Sequence, residues 1–190
     1  MNQFKIFQKY NKWLIKYPYR TNALTTGALF GVGDIIAQEL FPEKSEQSSI
    51  EQFDLTRTLR ATTYGTVIFS VIGDRWYKVL NGINIPSNYY ILKRSKIATL
   101  VLRVGIDQLI FAPFGLILYY GSMSVMSGGT LQAVREKLRL QWWPTLCANW
   151  VVWPVVQFIN FSLVPVHYRL LCVNSVALLW NTFLSMRNAQ

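Results

Sequence analysis

Acidic residues, cysteine, histidine and charge as a whole are scarce in this sequence. Nine Asp and Glu stand against 19 Lys and Arg, and charged residues make up only 15% of 190 positions. An ordinary soluble domain carries about 25% charge, so this chain lacks the groups to cover a water-facing surface. Its two cysteines, Cys147 and Cys172, exclude a disulfide framework. Both fall in apolar stretches, where cysteine packs as a small hydrophobe. The single histidine, His167, comes without any Cys/His cluster of zinc-ligand spacing, so no metal site is expected. Walker loops, dinucleotide fingerprints, HExxH and G-x-S-x-G elbows are all missing. The expectation is a protein that is not an enzyme and needs no cofactor.

What is present is apolar and basic: 52% hydrophobic, 15% aromatic, net charge +10. Disorder is excluded, because disordered chains are poor in aromatics and rich in charge. The length suits a single domain, read here as one integral membrane unit over 1–190. A basic excess suggests a polyanion, but these cations flank apolar runs instead of forming one patch, so nucleic acid is not an expected partner. A membrane protein with its cations outside the hydrocarbon fits both facts.

Residues 4–17 read as a basic amphipathic helix. Lys5, Lys9, Lys12 and Lys16 share one arc at about 100° per residue, with Trp13 and other large apolar residues opposite. That pattern suits a helix lying on anionic lipid, and equally a mitochondrial targeting segment. Five apolar runs follow, over 22–41, 56–80, 96–123, 142–164 and 168–186. Each nears the roughly 20 residues needed to cross the hydrocarbon. Four spans are the minimum and five fit, because Pro144 and Pro154 leave the later runs open to a break. A polar loop is expected over 42–52 and turns over 81–88 and 165–167, while Gly128, Gly129 and the charged run 135–139 read as a further connection. Tyr89, Tyr90, Tyr119, Tyr120, Trp142 and Trp143 fall near predicted ends, where aromatic belts belong. The basic N-terminal segment and the basic stretch around Lys78, Lys93, Arg94 and Lys96 are expected to share one side.

The runs are not uniformly apolar. Ala23, Gly27, Gly31, Asp34 and Gln38 lie on one stripe of the first run. Gly27 and Gly31 would let helices approach closely, and Asp34 must face a partner or water. In the third run Lys96, Thr99, Arg103 and Asp107 share a face, and Arg103 and Asp107 have the spacing of an i,i+4 pair. Thr145, Asn149 and Asn160 share another, with Gln157 at its edge, and His167, Asn174, Asn181 and Ser185 a fourth. Interhelical hydrogen bonding explains such stripes, and so does a hydrated path for solutes or ions. Asp34, Gln38, Arg103, Asp107, Asn149, Gln157, Asn160, Asn174 and Asn181 are therefore candidates for a pore lining or a polar core.

The run from Asn149 to Arg169, continuing through Trp180-Asn181 to Ser185, resembles the hallmark of the Mpv-seventeen/peroxisomal-membrane-protein family. So do Gly33-Asp34-Ile-Ile-Ala-Gln38, Trp76-Tyr77-Lys78-Val-Leu80 and Asp107-Gln108-Leu-Ile-Phe-Ala-Pro113. The resemblance covers almost the whole chain, in family order. Ser70, Val71 and Asp74 stand where many members have Gly, Pro and His, a departure that points to the fungal subgroup. The resemblance implies an all-α, multi-span protein of the mitochondrial inner membrane, with the peroxisomal membrane as the alternative. It implies a channel or solute-permeation role tied to metabolite balance, mitochondrial DNA maintenance and stress tolerance. The expected partners are the lipid bilayer, small solutes or ions, and further copies or a larger membrane complex. The rival expectation is a non-conducting scaffold that organises membrane proteins or lipids.

Overall fold

The computed structural model describes residues 2–41, 53–84 and 92–189, and among these all regular structure is helical. The polar loop expected over 42–52 and the residues Tyr89 and Tyr90 lie outside the described residues. Helix α1 spans Asn2–Lys16 and α2 Pro18–Leu40. Pro18 separates them: it lacks an N–H, breaks α1 at Tyr17, and is preorganised for the first turn of α2. Leu14 of α1 is buried, while Trp13, Lys9, Lys12 and Lys16 are exposed.

The second apolar run is α3, Leu55–Thr63, a π-helical stretch π1, Tyr64–Phe69, and α4, Ser70–Gly82, in unbroken succession. Asp54 caps α3, accepting the Arg57 backbone N–H at 2.9 Å. The third is α5, Leu92–Ile106, a second π-helical stretch π2, Asp107–Phe111, and α6, Ala112–Met126. Its cause is legible. In π2 the Ala112 N–H bonds back five residues to Asp107. Pro113 follows without an N–H, which leaves the Gln108 carbonyl short of its next partner. Trp150 Nε1 supplies one from a neighbouring helix at 3.0 Å.

Helix α7 runs Leu131–Leu163 and α8 Val166–Ala189. Two expectations change here. Residues 135–139 are not a connection: Thr130 caps α7, accepting from the Ala133 N–H at 3.3 Å, and the charged run forms its first turns. Pro144 and Pro154 do not break the helix, which is continuous for 33 residues.

Among the described residues, three helices are long and apolar enough to cross a membrane: Lys96–Met126, Leu131–Leu163 and Val166–Asn188. Helix α2 and the run 55–82 are helical and pack in the same bundle, but Asp34, Arg57, Arg60 and Asp74 dilute their apolar character. Helix α2 lies at the centre, against α8, α3 and π1. Its glycines set that distance. A Cβ on Gly27 would fall 1.8 Å from Thr66 Oγ1, and one on Gly31 2.5 Å from Thr62 Oγ1. Two apolar clusters fill the interior. One gathers Phe30, Tyr64, Leu116, Tyr119, Tyr120 and Leu184; the other gathers Tyr77, Leu80, Trp153, Phe161 and Val173.

Candidate functional site

Two buried carboxylates organise the polar interior. Asp34, on α2, is 1% exposed and is ringed by donors. Arg57 Nε reaches Oδ1 at 2.9 Å, Thr58 Oγ1 and Gln38 Nε2 reach Oδ2 at 2.7 and 2.8 Å, and the Ser185 hydroxyl donates to Oδ1 from α8. Arg57 Nη2 also donates to Ser185 Oγ at 2.8 Å and to its carbonyl at 3.1 Å. Gln38 Nε2 donates further to Thr58 Oγ1, and Gln38 Oε1 accepts the Asp54 N–H at 2.7 Å. One charged pair thus ties α2, α3 and α8 together.

Asp107, at the start of π2, is 2% exposed and has no cationic partner among the described residues. Trp76 Nε1 donates to Oδ1 at 2.8 Å, and Gln108 Nε2 and Gln157 Nε2 donate to Oδ2 at 2.8 and 2.9 Å. The network extends through Gln157 Nε2 to Tyr77 OH at 3.0 Å, Asn160 Nδ2 to Gln157 Oε1 at 3.2 Å, and Asn149 Nδ2 to Gln108 Oε1 at 3.1 Å. Trp76 stacks on Phe111 at 4.9 Å, which fixes its indole toward the carboxylate. Beside this network lies a cavity of about 80 Å³, enough for several waters. Asp107, Gln108, Asn149, Gln157 and Asn181 supply its polar wall, and Phe30, Tyr64, Tyr119 and Trp153 much of the rest. Trp153 Nε1 and Asn181 Nδ2 are buried without a partner among the described residues.

The candidates from sequence therefore divide. Asp107, Asn149, Gln157 and Asn181 line the cavity, and Asn160 bonds to Gln157 behind it. Asp34 and Gln38 form the separate charged cluster, and Asn174 donates to Thr26 Oγ1 on α2 at 2.7 Å. Arg103 does not pair with Asp107. It donates instead to the carbonyls of Ile83 and Asn81 at 3.0 and 2.9 Å and to Asn84 Oδ1 at 3.0 Å, closing the end of α4. His167 leaves the stripe it shared with Asn174: it is exposed beside the Tyr168 ring. Arg57, Thr58 and Arg169 are not among the candidates read from sequence. Arg169 is 6% exposed and donates to the carbonyls of Val164 and Phe161 and to Asn81 Oδ1, all at 3.1 Å.

Charge is divided along the bundle. Asn22 meets Asp74, Tyr168 meets Asn11, and Arg169 meets Asn81, so α1, the start of α2, the end of α4 and the start of α8 share one end. Gln38, Asp54, Arg57 and Ser185 mark the other. Twelve Lys and Arg lie on 1–20, on 75–103 and at 169, accompanied only by Asp74. At the other end, among the described residues, Arg57, Arg60, Arg135, Lys137, Arg139 and Arg187 are accompanied by Asp34, Glu39, Asp54 and Glu136. Among the described residues the basic excess is larger at the first of these ends.

Helices able to cross a bilayer, packed around buried polar networks, define a helical membrane protein. The chain belongs to the Mpv17 / PMP22 family, whose model matches residues 124–185. It is similar to Protein SYM1 of Candida glabrata, 47% identical over 198 residues, with 98% of this chain and 91% of that protein covered. Protein SYM1 of Saccharomyces cerevisiae is 47% identical over 188 residues, with the same coverage. That of Kluyveromyces lactis is 51% identical over 173 residues, covering 90% of this chain and 84% of the relative. No solved structure matches.

Proposed function

We propose that this protein forms a path for small solutes or ions across the mitochondrial inner membrane, alone or as an oligomer. The observation that carries the reading is the cavity beside Asp107, where a buried carboxylate without a cation joins amide side chains and two unpartnered donors. Polar and ionisable groups facing a hydrated space within membrane helices mark solute paths. Apolar clusters pack on the helices around the cavity, so the described state is closed and opening requires their rearrangement. In this reading α2 and the run 55–82 complete the span set of four to five. Helix α1 lies at the surface through Lys9, Lys12, Lys16 and Trp13. The physiological setting is metabolite balance, mitochondrial DNA maintenance and stress tolerance. No catalytic role is assigned.

The test is conductance of the purified protein in planar bilayers. Channel events above the empty-bilayer level are expected, and Asp107→Asn should change cation-over-anion selectivity while the protein stays folded. Silence at verified insertion overturns the reading and leaves the scaffold, which the fully bonded Asp34 cluster favours as the alternative. Cysteine at position 149, in a background lacking Cys147 and Cys172, adds a second readout. Labelling by a water-soluble thiol reagent supports the path.

A further inference from the structure

The cavity beside Asp107 has spent its acceptors and kept two donors. Asp107 takes three N–H bonds, one on Oδ1 and two on Oδ2, which fills three of its roughly four lone-pair sites. The side-chain oxygens of Gln108 and Gln157 already hold Asn149 and Asn160. Yet the negative charge itself is unanswered, because no Lys, Arg or His is among the described residues that line the cavity. Two donors on the wall, Trp153 Nε1 and Asn181 Nδ2, are unpartnered among the described residues, and both residues are more than nine-tenths buried.

Much of the remaining wall is aromatic. Eight of the nineteen lining residues are Phe, Tyr or Trp, against 15% in the whole chain. The rings brace one another: Phe30 meets Tyr64 at 5.4 Å, Tyr64 meets Tyr119 edge-on at 5.3 Å, and Trp153 meets Trp180 edge-on at 6.0 Å.

These features select a ligand by elimination. An alkali ion trades its water for several oxygens, and here the oxygens are engaged. A primary ammonium needs acceptors for three N–H groups, and the carboxylate has about one site left. An anion is repelled by Asp107, and an apolar molecule leaves the charge and both spare donors unanswered. A methylated ammonium donates no hydrogen bond from a quaternary nitrogen, so the spent lone pairs do not matter. Aromatic faces and an opposite charge attract it together. An oxygen at its other end accepts from Trp153 and Asn181. The cavity is compact, about 80 Å³, which suits a head of few heavy atoms and not a nucleotide.

We propose that this cavity binds a small methylated ammonium compound carrying a hydroxyl, with the ammonium between Asp107 and the aromatic wall and the oxygen at Trp153 Nε1 and Asn181 Nδ2. The site rests on the solute-path reading of the cavity, but occupancy at equilibrium is scored separately from conductance. A silent bilayer with the ligand bound sinks the path and keeps the site, and a conducting protein that binds none does the reverse.

The test is binding of radiolabelled choline to the full chain in a neutral maltoside detergent, by scintillation proximity. Saturable binding is expected. Unlabelled tetramethylammonium, which lacks the hydroxyl, should compete roughly fivefold more weakly than choline. Dimethylbutanol, the neutral carbon isostere of choline, should compete at least about tenfold more weakly, and potassium at equal ionic strength should not compete. Asp107→Asn should lower choline affinity at least about tenfold and leave that of the isostere unchanged. Trp153→Phe keeps a ring and removes the donor, so it should shrink the preference for choline over tetramethylammonium. Gly115→Leu fills the cavity from α6, where a Cβ meets nothing within 4 Å, and should abolish binding of every probe. Equal competition by the isostere, full choline affinity in Asp107→Asn or Gly115→Leu, or an unchanged preference in Trp153→Phe overturns the proposal. So does the absence of saturable choline binding to protein that unfolds cooperatively. Displacement of choline by potassium replaces it with an alkali-ion site.

Discussion

Asp34 and Asp107 are both buried carboxylates on apolar helices, and they are held in opposite ways. Asp34 has a guanidinium, two hydroxyls and an amide, and the ends of three helices close around it. Asp107 has an indole and two amides, sits where the helix widens into a π turn, and borders empty space. A compensated charge with every partner in place is an anchor. An uncompensated one beside a cavity, on a locally distorted helix, has the marks of a working group, since π-bulges concentrate at functional sites. Four predictions follow from that contrast.

The largest effect is expected at the anchor. Arg57→Leu strands the Asp34 carboxylate, and removing one partner of a buried pair costs about 3–5 kcal/mol. Equilibrium unfolding in mixed micelles measures it. Asp107→Asn should cost less than about 1 kcal/mol in the same assay, because its neutral partners offer bonds of the strength typical between membrane helices. Equal losses would erase the distinction between anchor and site.

Packing should follow the same division. Gly27→Ala puts a methyl into Thr66, whose hydroxyl is committed to the Thr62 carbonyl at 2.8 Å, with that carbonyl itself 3.1 Å from the new atom. Overpacking of this kind costs about 1–3 kcal/mol. Gly115→Ala, on the cavity wall, meets nothing within 4 Å and should be stabilising by about 0.5 kcal/mol from helix propensity. A cost at Gly115 as large as at Gly27 would mean that the cavity is already filled.

At the rim of the anchor, Gln38→Ala removes the amide that joins Asp34, Thr58 and the cap residue Asp54. A loss of about 1 kcal/mol is expected, modest because the residue is partly solvated. Unfolding of Gln38→Ala in the Arg57→Leu background sharpens the point. If the two act through one network, the second change should cost less than it does alone.

How far the sequence could be read depended on whether partners were local. The glycine stripe of α2 and the amide stripe of α7 were visible because helical spacing alone places them on one face, and both meet neighbours in the bundle. The Arg103–Asp107 pair was wrong for the same reason. Spacing of four permits the contact, but the free carbonyls at the end of α4 lie within reach of Arg103. Arg57 and Arg169 were not legible as core residues, since their partners are 23 and 88 residues away for Asp34 and Asn81. A faint signal existed for Arg169: it opens a helix after Pro165 in a stretch without acids. Pro144 and Pro154 left the run open to a break, whereas α7 absorbs both.

The smallest effect tests the π turn itself. Pro113 removes the N–H that the Gln108 carbonyl would use in the five-residue register, and Trp150 Nε1 fills the vacancy from α7. Trp150→Phe deletes that donor and leaves an aromatic ring in place. In membrane bundles such a bond averages about 0.6 kcal/mol, so unfolding should shift only slightly. The structural consequence should exceed the energetic one, because Gln108 also bonds Asp107 and Asn149 and its backbone sets where they point. Thiol labelling of a cysteine at position 149 should therefore change in the Trp150→Phe background by more than its stability does. An unchanged labelling rate would show that the π turn is held by Pro113 alone, and that the wall of the Asp107 cavity is as rigid as the cluster around Asp34.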